Sequence, residues 1–147
     1  MNILAIDTSG GVCTAAVLAD NRLLSEVYMD GRRTHSETLG VMVDQCLKYA
    51  ELTAEDIDLF ACAIGPGSFT GLRIGLSVAR GLGLALGIPV IGVPTLAAIS
   101  LGREGGGEII LDAGRGEAYV QRFSAPGITR DDPFLADLSS ALKAAAR

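Results

Sequence analysis

Ser68 and Thr70 lie in the stretch Gly65-Pro66-Gly67-Ser68-Phe69-Thr70-Gly71-Leu72-Arg73-Ile74-Gly75, which turns out of an apolar run and into a helix. Pro66 fixes its own φ and lacks a donor, and the flanking glycines can take positive φ, so the reversal is tight. Either hydroxyl can cap the helix, leaving free N–H groups and the positive dipole end above the preceding strand, where an anion or a partner loop fits. Serine hydrolysis or peptidase chemistry lacks its equipment: the turn has no Gly-x-Ser-x-Gly spacing, and His35 is the single histidine. A lone histidine beside a helix cap reads as a hydrogen-bonding surface residue, so no catalytic residue and no metal site is expected. Cys13, Cys46 and Cys62 are odd in number, widely spaced and set in apolar segments. They read as reduced core thiols, not as a disulfide frame or a metal knuckle. Arg73 and Arg80, two helical turns apart among apolar neighbours, can pair with acidic residues of a partner or with Glu37 and Asp44.

The elements that must position these residues follow from pattern. Leu59 to Ile64 suits a buried strand. After it, Gly71, Gly75, Ala79, Gly83 and Gly87 recur at every fourth position and form one ridge of a helix that stops at Gly87-Ile88-Pro89. Each interior glycine costs roughly 1 kcal/mol of helix propensity, which packing must offset. Two arrangements supply that packing: a sheet and second helix of the same domain, or a partner whose backbone approaches the ridge. Leu72, Ile74, Leu76, Val78, Leu82 and Leu84 make the other faces apolar, so the helix is expected to be buried on several sides. Its two arginines, glycines and Pro89 argue against a membrane span.

Around this unit, Ile3 to Ile6, Cys13 to Leu18 and Leu23 to Tyr28 read as an antiparallel meander. Thr34 and Glu37 have capping-box spacing, and Leu39, Met42, Val43, Cys46, Leu47 and Ala50 recur as one face of a helix over 36–50. Val90 to Val93 closes a β-α-β crossover, and Pro94-Thr95 opens a short helix to Leu101. Residues 102–107 form the best linker. Beyond them Ile109-Ile110-Leu111-Asp112 echoes Leu4-Ala5-Ile6-Asp7, each strand ending on an aspartate before a turn and a second strand. The tail is expected to break at Pro126-Gly127 and Asp132-Pro133 and to end in a small helix carrying Leu135, Leu138 and Leu142. The division is accordingly 1–103 for a first lobe and 104–147 for a second, abbreviated one.

With 147 residues, 49% of them hydrophobic, the chain can bury a core. Its net charge of −5 and pI near 4.7 lack the electrostatic footprint of a protein that grips nucleic acid unaided. The first strand begins at Asn2, which leaves no room for a signal peptide and predicts a cytoplasmic protein.

Four places carry a resemblance: Ile6-Asp7-Thr8-Ser9, His35-Ser36-Glu37, the stretch Gly65 to Arg73 with its small-residue helix, and Asp112-Ala113 to Glu117-Ala118-Tyr119. Together they are similar to the bacterial TsaB (YeaZ) family, the smaller relative of TsaD in tRNA threonylcarbamoyladenosine synthesis, from residue 1 to about Phe123. The resemblance implies an α/β fold of the actin-like ATPase (ASKHA, ribonuclease H-like) type, two related lobes flanking a nucleotide cleft. The first lobe, with a five-stranded mixed sheet, is expected to be complete. Family members continue the second lobe well past the equivalent of Phe123, so here a truncated one is expected.

By the same resemblance the chain is a non-catalytic scaffold for a TsaD-type subunit, which transfers a threonylcarbamoyl group from its adenylate onto an adenosine of tRNA. A TsaE-type ATPase joins through the complex. The chain alone is expected to form a homodimer, to meet tRNA only indirectly, and to use no membrane. First-lobe helices make the family's contacts, which carries over to His35, Leu39, Met42, Val43 and Cys46 on the first helix. On the second it carries over to Leu72, Arg73, Gly75, Leu76, Ala79 and Arg80. No intrinsic cofactor is expected. The alternative implied by the fold is an ATP-binding enzyme in which Asp7 holds hydrated magnesium, Thr8 and Ser9 approach phosphate, and Asp112 is the matching aspartate of the second lobe.

Overall fold

The computed structural model describes residues 1–30 and 35–146, with the side chains of His35 and Ser36 outside that description. Thr34 of the expected capping box also falls outside it. Two compact units divide the chain: residues 1–64 with 68–93, and residues 65–67 with 94–147.

In the first unit β1 (Asn2–Asp7), β2 (Val12–Ala19) and β3 (Arg22–Asp30) form the meander. Asp20 and Asn21 both take positive φ, as the two-residue turn between β2 and β3 requires. The helix α1 (His35–Tyr49), β4 (Leu59–Ala63), α2 (Phe69–Leu86) and β5 (Val90–Val93) follow, with a short 3-10 turn at Ala54–Asp56. The strand order is β3-β2-β1-β4-β5. β1 pairs antiparallel with β2 and parallel with β4, and β4 pairs parallel with β5, so the sheet is mixed and five-stranded. Alternate residues of the central strands, Leu4, Ile6, Phe60 and Cys62, meet Leu39, Met42, Cys46 and Ala79 in one core. That alternation is the period of a strand with one face covered by helices.

In the second unit α3 (Thr95–Leu101) is followed by β6 (Gly107–Gly114), β7 (Glu117–Ala125), β8 (Ile128–Thr129), β9 (Phe134–Asp137) and α4 (Leu138–Ala145). β7 pairs antiparallel with β6, β8 and β9. One small core joins Leu96 of α3 to Ile109 and Phe123, and a second joins Ala141 of α4 to Ala118 and Val120. Because α3 packs on β6 and β7, it belongs with the second unit, and the division falls at Val93/Pro94 where the sequence reading placed it at 103/104. A second correction concerns Leu135: it is in β9, opposite Tyr119, not in the tail helix, because pairing with β7 competes successfully for Phe134–Asp137.

Candidate functional site

The helix α2 is built to lie close to a sheet. Ser68 caps it, its hydroxyl accepting from the Gly71 amide at 3.2 Å, and Gly87 ends it in the left-handed region at φ 68°. Gly71, Gly75, Ala79 and Gly83 are the buried residues of the helix. A Cβ on Gly71 would come within 1.9 Å of the Thr8 carbonyl oxygen, on Gly75 within 2.4 Å of Thr8 Oγ1, and on Gly83 within 2.3 Å of Val90 Cγ2. The ridge therefore faces the chain's own sheet. This corrects the placement of Gly75 and Ala79 at a partner interface, since the backbone that approaches them is intramolecular. By length and composition α2 is apolar enough to cross a membrane, but its glycine ridge is what a helix seated on a sheet needs.

Helix α1 brings a like correction. Leu39, Met42, Val43 and Cys46 are 0%, 2%, 7% and 0% exposed and fill the core between α1 and the sheet. Cys46 is further held by Ser25, whose hydroxyl donates to the Cys46 carbonyl at 2.6 Å. What α1 turns outward is Val41 and Tyr49, with Asp44 paired to Lys48 at 2.7 Å. Asp44, an expected partner of the α2 arginines, is thus already engaged by its own helix.

Two ridges of α2 remain outward. Leu72, Leu76, Arg80 and Leu84, again four apart, run beside the glycine ridge, with Leu72 half-buried, Leu76 and Arg80 exposed and Leu84 87% exposed. Leu76, Arg80 and Leu84 border an open groove of about 750 Å³ shared with Ile64, Ile88 and Ile91. Among the lining residues Arg80 carries the one charge. Phe69 and Arg73 lie on the next ridge, the guanidinium 5.4 Å from the ring centre, with the ring itself exposed. Phe69, Leu84 and the isoleucines are absent from the sequence-predicted set. A wheel centred on the glycines places Phe69 on their flank, about 100° away, and Leu84 nearly opposite them, about 160° away, which is the signal that finds both.

The turn after β1 closes against the same helix. Thr8 Oγ1 donates to the Gly71 carbonyl at 2.7 Å, and the Ser68 amide donates to the Ser9 carbonyl at 2.7 Å. The Ser9 amide donates to Asp7 Oδ1 at 2.7 Å. Thr8 and Ser9 are 2% and 4% exposed. The Thr8 hydroxyl and the Ser9 amide are thus both engaged inside the unit, and neither is a free donor for a phosphate. In the second unit Asp112 is exposed, and its Oδ1 accepts from the Gly114 amide at 2.7 Å, the same two-residue aspartate turn. The echo between the two hairpins extends to this hydrogen bond. Around Asp7 the thiols are muted: burial, then the Asp7 charge, pushes Cys62 up to about 11 and raises Cys13 as well. Among the described residues no group of acidic, histidine and cysteine side chains could hold a metal.

The family model for TsaD, tRNA N6-adenosine threonylcarbamoyltransferase, matches residues 23–143. YeaZ from Pseudomonas aeruginosa superposes with a TM-score of 0.81 at 31% identity, covering 92% of this chain and 67% of that one. The chain belongs to the TsaB/YeaZ family. TsaB of Escherichia coli, a tRNA threonylcarbamoyladenosine biosynthesis protein, is 38% identical over 124 residues, 81% of this chain and 53% of that protein. TsaB of Bacillus subtilis, with the same description, is 35% identical over 123 residues, 82% of this chain and 54% of its own length. This TsaB/YeaZ chain thus spans about half the length of those two relatives. A hexokinase of Thermus thermophilus shares the fold, with a TM-score of 0.56 at 18% identity over 90% of this chain and 50% of that one. The actin-like architecture expected from the resemblance is therefore present.

Proposed function

We propose that this chain is a non-catalytic subunit of tRNA threonylcarbamoyladenosine synthesis that docks a TsaD-type threonylcarbamoyl transferase through the outward ridges of α2. The observation that carries the reading is the exposed apolar flank of α2, with Leu84 87% and Leu76 40% exposed beside a groove that Ile64 and Ile91 line. Fully burying one such leucine against a partner contributes about 1.5–3 kcal/mol. Arg80 supplies one charge at the rim for an acidic partner residue, which favours register more than affinity. Catalysis belongs to the partner in this reading, supported by a Thr8 hydroxyl spent on the Gly71 carbonyl, a Ser9 amide spent on Asp7, and His35 as the single histidine. ATP and magnesium, in the same reading, are held by the assembly and not by Asp7, Thr8 and Asp112 of this chain.

The same flank pairs with a second copy when the transferase is absent, and a TsaE-type ATPase joins through the complex. At net charge −5 the chain meets tRNA only through the transferase, in the cytoplasm and away from any membrane. Size-exclusion chromatography with light scattering, on this chain with and without a TsaD-type subunit, tests the proposal. Co-elution as one species supports it. Separate elution at micromolar concentrations of both proteins refutes it.

A further inference from the structure

We propose that Thr8 is a positioning residue that sets the docking ridges of α2, so that the turn after β1, phosphate-loop-like in sequence, works as a clamp on that helix. This rests on the docking reading above. Thr8 and Gly71 are 63 positions apart, yet the hydroxyl and carbonyl meet at 2.7 Å in a site 2% open to solvent. Nothing separates the turn from the helix, because Cβ atoms on Gly71 and Gly75 would land 1.9 Å and 2.4 Å from Thr8 atoms. The Ser9 carbonyl accepts from the Ser68 amide at 2.7 Å, and Ser68 caps Gly71. These bonds converge on Ser68 and Gly71, immediately beside Phe69 and Leu72. A helix moves as a rod, so a shift in its first turn carries to Leu76, Arg80 and Leu84.

Thr8→Val tests the clamp because it keeps the shape and deletes the donor. A methyl facing the Gly71 carbonyl needs about 3.3 Å or more where the hydroxyl sits at 2.7 Å, so the helix must lift by roughly half an ångström. Thr8→Ser keeps the donor. Val17→Ala, a core change on β2 at a residue 0% exposed that takes no part in the bonds between the β1 turn and α2, lowers stability and controls for it. Titration calorimetry against a TsaD-type subunit, at a temperature where all variants are folded, is expected to show Thr8→Val weakened about fivefold or more. Thr8→Ser and Val17→Ala are expected within about twofold of the parent. Equal affinities for Thr8→Val and the parent, or an equal loss in Val17→Ala, overturn the clamp and leave the docking reading standing. If the parent itself does not bind, docking fails. The clamp is then judged by hydrogen exchange of the amides from Leu72 to Gly75: faster exchange in Thr8→Val than in Val17→Ala supports it, and equal exchange overturns it.

Discussion

Gly75→Ala adds one methyl to the buried ridge of α2. Its Cβ would sit 2.4 Å from Thr8 Oγ1 and 3.5 Å from Cys62 Sγ, and both neighbours are anchored in the core. Overpacking of this kind costs about 1–3 kcal/mol. Displacing Thr8 from Gly71 adds about 1 kcal/mol for the lost hydrogen bond, and better helix propensity returns about 1 kcal/mol. The net expectation is a loss of about 1–3 kcal/mol. Gly81→Ala is the matched control, since Gly81 is exposed on the same helix and a Cβ there meets nothing within 4 Å. It collects the propensity gain alone, up to about 1 kcal/mol of stabilisation. The two variants should therefore separate by about 1–4 kcal/mol in opposite directions. Urea denaturation followed by far-UV circular dichroism reads this as midpoints on either side of the parent with unchanged slope. A Gly75→Ala midpoint at or above that of Gly81→Ala would show that the ridge tolerates side chains and would refute its seating on the β1 turn.

Cys62 gives a pH dependence. With its thiol pushed up to about 11 from the ordinary 9.0 by burial and by Asp7, the folded chain keeps a proton that the unfolded chain releases. Stability should be level below pH 9 and fall as pH rises from there towards about 11, and Cys62→Ala should flatten that fall in urea midpoints taken across the range. Asp7→Asn keeps an oxygen for the Ser9 amide but removes the negative charge that, after burial, helps to hold both Cys13 and Cys62 up. Urea midpoints of the variant should fall less steeply above pH 9 than those of the parent, while it binds a TsaD-type subunit as tightly as the parent; an unchanged fall contradicts the charge argument. Val17→Ala and Thr8→Val, compared by calorimetry, test the clamp as set out above.

Much of the first unit was legible in its residues. The apolar runs from Ile3 to Ile6 and from Leu59 mark the two central strands, and the β-α-β run at 59–93 admits one handed crossover. The aspartate echo at Asp7 and Asp112 was visible as spelling and is realised as the same side-chain-to-amide bond. The direction of the glycine ridge was not legible, because a row of small residues records a close approach without naming what approaches. Gly75 and Ala79 turned inward for that reason, and Leu39, Met42 and Cys46 likewise, since an apolar helix face looks the same against a sheet or a partner. Thr8 entered only the alternative reading, as a phosphate contact, and its long-range bond to Gly71 was not legible because it depends on chain closure, which local spacing does not encode. The strand Phe134–Asp137 was hidden by its breaks at Asp132-Pro133, and only its pairing with β7 makes it regular.

The docking claim meets its most direct test in Leu84→Glu. Leu84 is 87% exposed, so a carboxylate there leaves the fold's stability within about 0.5 kcal/mol of the parent while putting a charge into the apolar flank. Calorimetric titration of a TsaD-type subunit into each protein should give an affinity at least tenfold weaker for the variant, the loss expected when a leucine worth about 1.5–3 kcal/mol is removed from a contact. Equal affinities for the two proteins, at equal thermal midpoints, would contradict docking through α2.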